Sequence, residues 1–145
     1  MEYSISIATF DQRFDLFTSV IEEIKRQRPS IEISVQVNGN YKEKNNEGYR
    51  KKILKFLSEY ENINPQFHSY FVSNSKMWNR GIQNTTNNMV CVLSDDIEIS
   101  EGFFDFIENN IDFAKNSYCI FNNVFCYFLI DKSYLAKMNW FDERY

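Results

Sequence analysis

Glycine is scarce in this sequence: four in 145 residues, at positions 39, 48, 81 and 102. With those four, neither a GxGxxG dinucleotide fingerprint nor a phosphate loop ending in Gly-Lys-Ser/Thr can be written, and both need close backbone approach to phosphate. Histidine is scarcer still, with His68 alone. It lies in a β-friendly stretch away from Ser, Cys or carboxylate motifs, which removes a His-based triad and makes it a structural residue. The three cysteines, Cys91, Cys119 and Cys126, have neither CxxC nor metal-ligand spacing, so they read as buried reduced thiols. No apolar run approaches the roughly 18 to 20 residues of a spanning helix. The start, Met1-Glu2-Tyr3-Ser4, lacks a basic region followed by an apolar one, and the protein reads as cytoplasmic. A basic surplus is missing too. The net charge is −4 and the pI about 5.1, which gives no general attraction to nucleic acid. The densest basic stretch, Arg50-Lys51-Lys52 with Lys55, is offset by Glu43, Glu47, Glu59 and Glu61 and reads as a solvated helix face.

Bulk is plentiful. The chain is 43% hydrophobic and 17% aromatic with 14 Phe, enough to fill one ordinary domain. Residues 3–8 alternate and lead to Asp11, a candidate N-cap; Phe14, Phe17, Ile21 and Ile24 then mark one helical stripe ending near Pro29. Residues 31–37 alternate as a second strand, stopping at Asn38-Gly39-Asn40. A helix over 47–60 follows, Pro65 breaks, and 67–72 reads as a third strand. A short helix over 75–86 and a strand over 89–93 come next. Ser100 caps a helix bearing Phe103, Ile107 and Ile111. Residues 118–130 are β-rich around Asn122-Asn123, and 132–137 look helical. Trp140 and Phe141 read as packing residues.

Alternating strands and helices with short connections predict one α/β domain over 1–145, a three-layer α/β/α sandwich with a mainly parallel central sheet. Ligands of such folds bind beyond the carboxyl ends of the strands. That rule directs attention to Thr9–Arg13, Asn38–Asn40 and Ser94–Glu98. At the last of these, the apolar run Met89–Leu93 is stopped by two adjacent carboxylates, Asp95 and Asp96, with Glu98 close behind. Neighbouring carboxylates repel, and a cation relieves them. Mn²⁺ or Mg²⁺ prefers hard oxygen ligands and bridges carboxylates to phosphates.

Six segments in order cover nearly the whole chain: Ile-Ala-Thr-Phe-Asp-x-Arg, Val-Asn-Gly-Asn, Asn79-Arg80-Gly81-Ile82, Leu93-Ser94-Asp95-Asp96-Ile97-Glu98, Gly102-Phe103 and Trp140-Phe141-Asp142-Glu143-Arg144-Tyr145. Together they resemble a GT-A, Rossmann-like glycosyltransferase of family 2. The resemblance implies that Thr9, Phe10 and Asp11 line the nucleoside pocket and that Arg13 meets the diphosphate. It implies that Asp95 faces the ribose or donor sugar, and that Asp96 holds a divalent metal, Mn or Mg. Asn38 would reach the base, Asn79 and Gly81 would pack beneath the donor site, and Asp142 and Glu143 would stand on the acceptor side. The substrates implied are a nucleoside-diphosphate sugar and a glycan or lipid-linked acceptor, with peripheral contact at the inner membrane face and a role in bacterial surface polysaccharide synthesis. The expected chemistry is displacement at the anomeric carbon with inversion.

The sequence departs from that family in places. Val37 and Asn38 replace two acidic residues, which leaves the nucleobase open; Ser94 replaces the first acid of the three-acid form; Trp78 replaces Arg. The family's general base lies downstream of the Phe-Asp-Glu segment, and the sequence given ends at Tyr145, so the resemblance implies a donor-binding part with an incomplete acceptor side. Two other classes stay open: a catalytically silent binding or assembly module of the same fold, and a metal-dependent phosphoryl or nucleotidyl transferase.

Overall fold

The computed structural model describes residues 2–10, 12–39 and 47–145. Asp11 and Asn40, both singled out above, lie outside them. The elements run β1 (Ser4–Thr9), α1 (Phe14–Gln27), β2 (Ile33–Val37), α2 (Glu47–Leu57), β3 (Ile63–Phe67), α3 (Asn74–Gln83), β4 (Met89–Ser94), α4 (Phe103–Asn110), β5 (Tyr118–Ile120), a 3₁₀ turn (Phe121–Asn123), β6 (Phe128–Asp131) and α5 (Lys132–Lys137). One six-stranded sheet forms in the order β3-β2-β1-β4-β6-β5. The first four strands are parallel, while β6 is antiparallel to both β4 and β5. This is the expected α/β/α sandwich.

The two faces of the sheet are filled differently. On one, Ile5, Ile7, Ile33, Val35 and Leu93 meet Phe17, Ile21 and Ile24 of α1, Ile53 and Leu57 of α2, and Phe104 and Ile107 of α4. Each fully buried aliphatic or aromatic side chain here contributes about 1.5–3 kcal/mol relative to exposure. The other face of β1 and β2 carries Ser4, Ser6, Ser34 and Gln36, all buried. These small and polar side chains let α3 lie close, and a Cβ on Gly81 would collide with Ser6 Oγ. Further along that face, Val90, Val92, Phe128 and Ile130 pack with Ile82 and Leu135, and Trp78, Trp140 and Phe141 close the cluster as packing residues. Tyr118, Phe125 and Met138 remain exposed around an apolar groove beside β5.

Three expectations are corrected. The third strand is 63–67 rather than 67–72, and it contains Pro65 instead of following it. As the outermost strand it pairs with β2 alone, where a missing N–H is tolerated. Helix α4 begins after Gly102, whose φ of 77° is left-handed, and not at a Ser100 cap. Cys91 is buried as expected, but Cys119 and Cys126 are only partly so, because both sit on the hairpin at the sheet edge. His68 falls just beyond β3 and has a structural setting: its backbone N–H donates to Val37 O, and its Nε2 lies 3.0 Å from Gln36 Oε1. Lys25, on α1, is only 6% exposed. Its Nζ donates to the carbonyls of Pro29, Ile31 and Glu61 at 3.1, 2.8 and 2.7 Å, tying the α1–β2 turn to the end of α2.

Candidate functional site

Strands β1 and β4 are adjacent and parallel, with Ala8 opposite Ser94. From β1 the chain moves one way to β2, and later returns on the other side to β4, so the carboxyl ends of these two strands border the switch-point crevice. Thr9 ends one strand and Asp95 follows the other. Their side chains meet, with Thr9 Oγ1 donating to Asp95 Oδ2 at 2.8 Å. Arg13, the residue before α1, leans over the same point. Its Nη1 donates to Asp95 Oδ1 at 2.9 Å and to Asp96 Oδ2 at 2.7 Å. The Arg13 guanidinium also lies 4.6 Å from the centroid of the Phe10 ring, a cation–π distance. The Phe10 loop is held in turn by Tyr49, whose hydroxyl donates to Phe10 O at 2.8 Å.

The two acids have different surroundings. The Asp95 side chain is 4% exposed and that of Asp96 is 42% exposed. Burial raises the Asp95 carboxyl above its ordinary range, although Thr9 and Arg13 pull the other way. Asp96 is lowered, first by the Ser94 hydroxyl, which donates to its Oδ1 at 2.5 Å, and then by Arg13. The exposed acid is therefore the more firmly anionic one. Ser94, expected only as a missing acid, works as the donor that orients Asp96.

Among the described residues no group of three or more His, Cys, Asp or Glu side chains is gathered that could cage a metal. A single accessible carboxylate is nonetheless a sufficient protein contribution for Mg²⁺ or Mn²⁺ when phosphate and water supply the rest. Asp96 fits that use, and the charge now opposing it is Arg13. Beside Asp96 opens a cavity of about 370 Å³, walled by Phe103, Phe121, Tyr127 and Ile97, with Glu98 and Asn122 at its border. Phe121 and Tyr127 come from the hairpin that the sequence marked only by Asn122-Asn123, and Phe103 from the start of α4; both asparagines take positive φ, 52° and 56°, and make the hairpin's turn.

The side chains of the other candidates are engaged elsewhere, although Asn38 N–H donates to Thr9 O at 2.8 Å. Asn38 is 6% exposed and its amide faces the chain itself: Nδ2 donates to Val72 O, while Oδ1 accepts from the N–H groups of Val72 and Gly39, each at 2.9 Å. Asn79, 2% exposed on α3, donates to Phe141 O at 2.9 Å and to Glu143 Oε1 at 3.2 Å, and accepts from Phe141 N at 3.1 Å. Glu143 is thus joined to α3, and its carbonyl accepts from Ser73 Oγ. Asp142 instead pairs with Arg144 at 2.6 Å on the surface.

No family model matches the chain, and no curated protein matches it. Solved structures do. A mannosyltransferase from Pyrobaculum calidifontis, in complex with GDP-Man and Mn²⁺, superposes with a TM-score of 0.78 at 9% identity, over 98% of this chain and 48% of that one. S. aureus TarS 1-349, in complex with UDP, gives 0.68 at 12% identity, over 99% and 51%. The 4-diphosphocytidyl-2C-methyl-D-erythritol synthase of Anaerococcus prevotii gives 0.64 at 13% identity, over 94% and 73%. The chain thus shares the GT-A-type, Rossmann-like fold of these structures. The chain spans about half the length of that mannosyltransferase and of TarS 1-349. None of its helices, among the described residues, is long and apolar enough to cross a membrane.

Proposed function

We propose that this chain carries the donor-binding part of a nucleotide-sugar glycosyltransferase, which passes a sugar from a nucleoside diphosphate to an acceptor hydroxyl. The observation that carries this reading is the cluster at the switch point, where a buried acid fixed by Thr9 and an exposed acid fixed by Ser94 share one arginine. Phe10 offers a flat apolar face to the nucleoside, with Thr9 beside it; Asp11, expected at the same pocket, lies outside the described residues. Asp95, held by two donors, faces the ribose or the donor sugar. Arg13 has the charge and fork geometry to meet the diphosphate. A divalent cation, Mn or Mg, held by Asp96 would stabilise the negative charge on the departing diphosphate as a Lewis acid. The cavity of about 370 Å³ beside Asp96 has room for one sugar ring, with aromatic faces on its walls and Glu98 and Asn122 for hydroxyls.

Asn38 and Asn79 support this site through the backbone they hold, and Glu143 and Asp142 stand toward the acceptor. In this reading the hydroxyl is deprotonated by a carboxylate, displacement at the anomeric carbon inverts configuration, and the acceptor is a glycan or a lipid-linked glycan of a bacterial surface polysaccharide. The work takes place in the cytoplasm, at the inner face of the membrane when the acceptor is lipid-linked.

Calorimetric titration with UDP, GDP, CDP and dTDP, with and without Mn²⁺, tests the reading. The expected result is metal-dependent binding of one nucleotide, weakened on the order of 100-fold in Asp96→Ala; no binding to any nucleotide leaves a silent module of the same fold. A second reading, nucleotidyl transfer, is favoured by the likeness to the Anaerococcus synthase, 73% of which is covered. Pyrophosphate release from a nucleoside triphosphate would establish it in place of the first.

A further inference from the structure

The cation that relieves the repulsion between Asp95 and Asp96 in the folded chain is the chain's own Arg13. Its Nη1 sits 2.9 Å from one carboxylate and 2.7 Å from the other, a geometry in which one nitrogen bridges both acids. A divalent ion placed on Asp96 Oδ2 would meet that same nitrogen, and two like charges at such separation repel strongly where water is partly excluded. Asp96 Oδ1 is meanwhile engaged by Ser94. An incoming anion of the right size has the opposite effect, because a diphosphate offers the guanidinium a bidentate partner and so draws it off Asp96.

We infer that Arg13 is a positioning residue that keeps bare metal off Asp96 and yields the carboxylate only when a diphosphate takes the guanidinium, so that metal and nucleotide are bound together and not in succession. This rests on the donor-site reading given above. It assigns Arg13 two partners in turn, the acid pair before binding and the diphosphate after it. It also explains how an acid pair on an open rim avoids loading with a free cation that would then bind the wrong anions.

The test measures Mn²⁺ binding directly, by electron paramagnetic resonance of free Mn²⁺, on the whole chain. In the native protein, Mn²⁺ alone is expected to bind weakly, and the nucleotide identified by calorimetry to tighten it by about 5- to 150-fold, the usual span of a coupling between two ligands. In Arg13→Gln, Mn²⁺ alone should bind roughly tenfold more tightly than in the native protein, while the tightening by nucleotide shrinks toward none. Adding Asp96→Asn to Arg13→Gln should remove the gain. If Arg13→Gln binds Mn²⁺ alone no better than the native chain, the inference is overturned, even where nucleotide binding is intact. If no nucleotide binds the native chain, the donor-site reading fails, and the metal-alone arm still decides whether Arg13 competes for Asp96. Should Arg13→Gln not fold, ¹⁵N resonances of the Arg13 guanidinium in the native protein give the same answer. They should stay unchanged with Mg²⁺ alone and shift with Mg²⁺ plus nucleotide; a shift with Mg²⁺ alone overturns the inference.

Discussion

Two arginines, one at each end of the sheet, each hold two acids, and they do so in different ways. At the amino end, Arg28 grips Glu108 with both arms of its fork, Nε to Oε1 at 2.8 Å and Nη2 to Oε2 at 2.9 Å, and reaches Asp105 at 2.5 Å. Tyr3 adds its hydroxyl to Glu108 at 3.1 Å. Both acids there are open to solvent, at 33% and 66% exposure, and Glu108 is lowered chiefly by its bond to Arg28. At the carboxyl end, Arg13 spreads one nitrogen over two acids, one of them buried and raised. The first arrangement fastens α1 to α4. On the proposed function the second is where a ligand is taken up, since perturbed carboxylates in clefts commonly mark functional sites.

The largest effect that would break this contrast is in ligand binding. Asp96→Ala should weaken metal-dependent nucleotide binding on the order of 100-fold, about 2.8 kcal/mol, while thermal stability moves by no more than about 0.5 kcal/mol because the side chain is exposed. Titration calorimetry and a melting curve on the same sample check both halves. Thr9→Val comes next. It removes a hydrogen bond to a buried carboxylate and should cost about 1–3 kcal/mol in denaturant unfolding at neutral pH. Binding should weaken with it, since Asp95 loses one of its two fixed donors. Arg28→Met should cost only about 1 kcal/mol, as its partners are solvent-exposed, and should leave nucleotide titrations unchanged. Equal damage to binding from Arg28→Met and Thr9→Val would erase the distinction between the two ends.

Acid titration sharpens it with the smallest effect. Asp96 and Glu108 are lowered from ordinary values of 3.8 and 4.5, so the stability they contribute is complete above those values and fades as pH falls through their folded ones. Asp95 is raised from 3.8, so its contribution has the opposite sign, complete below 3.8 and lost as pH rises through its folded value. In Asp95→Asn that opposing contribution is gone, and stability measured by urea unfolding between pH 7 and pH 3 should fall more steeply than in the native chain.

Much of this was legible in the sequence where the period of apolar residues was clean. The β1–α1–β2 unit, the all-apolar β4 and the acid pair at its end stand where alternation and the strand-end rule put them. The third strand was misplaced because Pro65 was read as a breaker, and only the position of a strand at the sheet edge makes proline tolerable there. Lys25 could not be read as buried, since its three carbonyl partners come from a turn and from residue 61, far along the chain. The separate fates of Asp95 and Asp96 were invisible too: both lie just past the end of β4 and both meet Arg13, but only Asp95 is covered, which depends on the fold around Thr9. Two of the aromatic residues beside Asp96, Phe121 and Tyr127, come from a hairpin far along the chain, with only two asparagines to announce it.

Asn38 has a consequence of its own. Its carboxamide offers Val72 one acceptor and one donor, the same pair a neighbouring peptide unit would present, so the chain borrows a rung of sheet from a side chain where no strand exists. Aspartate in that position would lack the donor and serine the spacing. At its far end, the loop leading into α3 is therefore spliced to the end of β2 by the amide of one side chain.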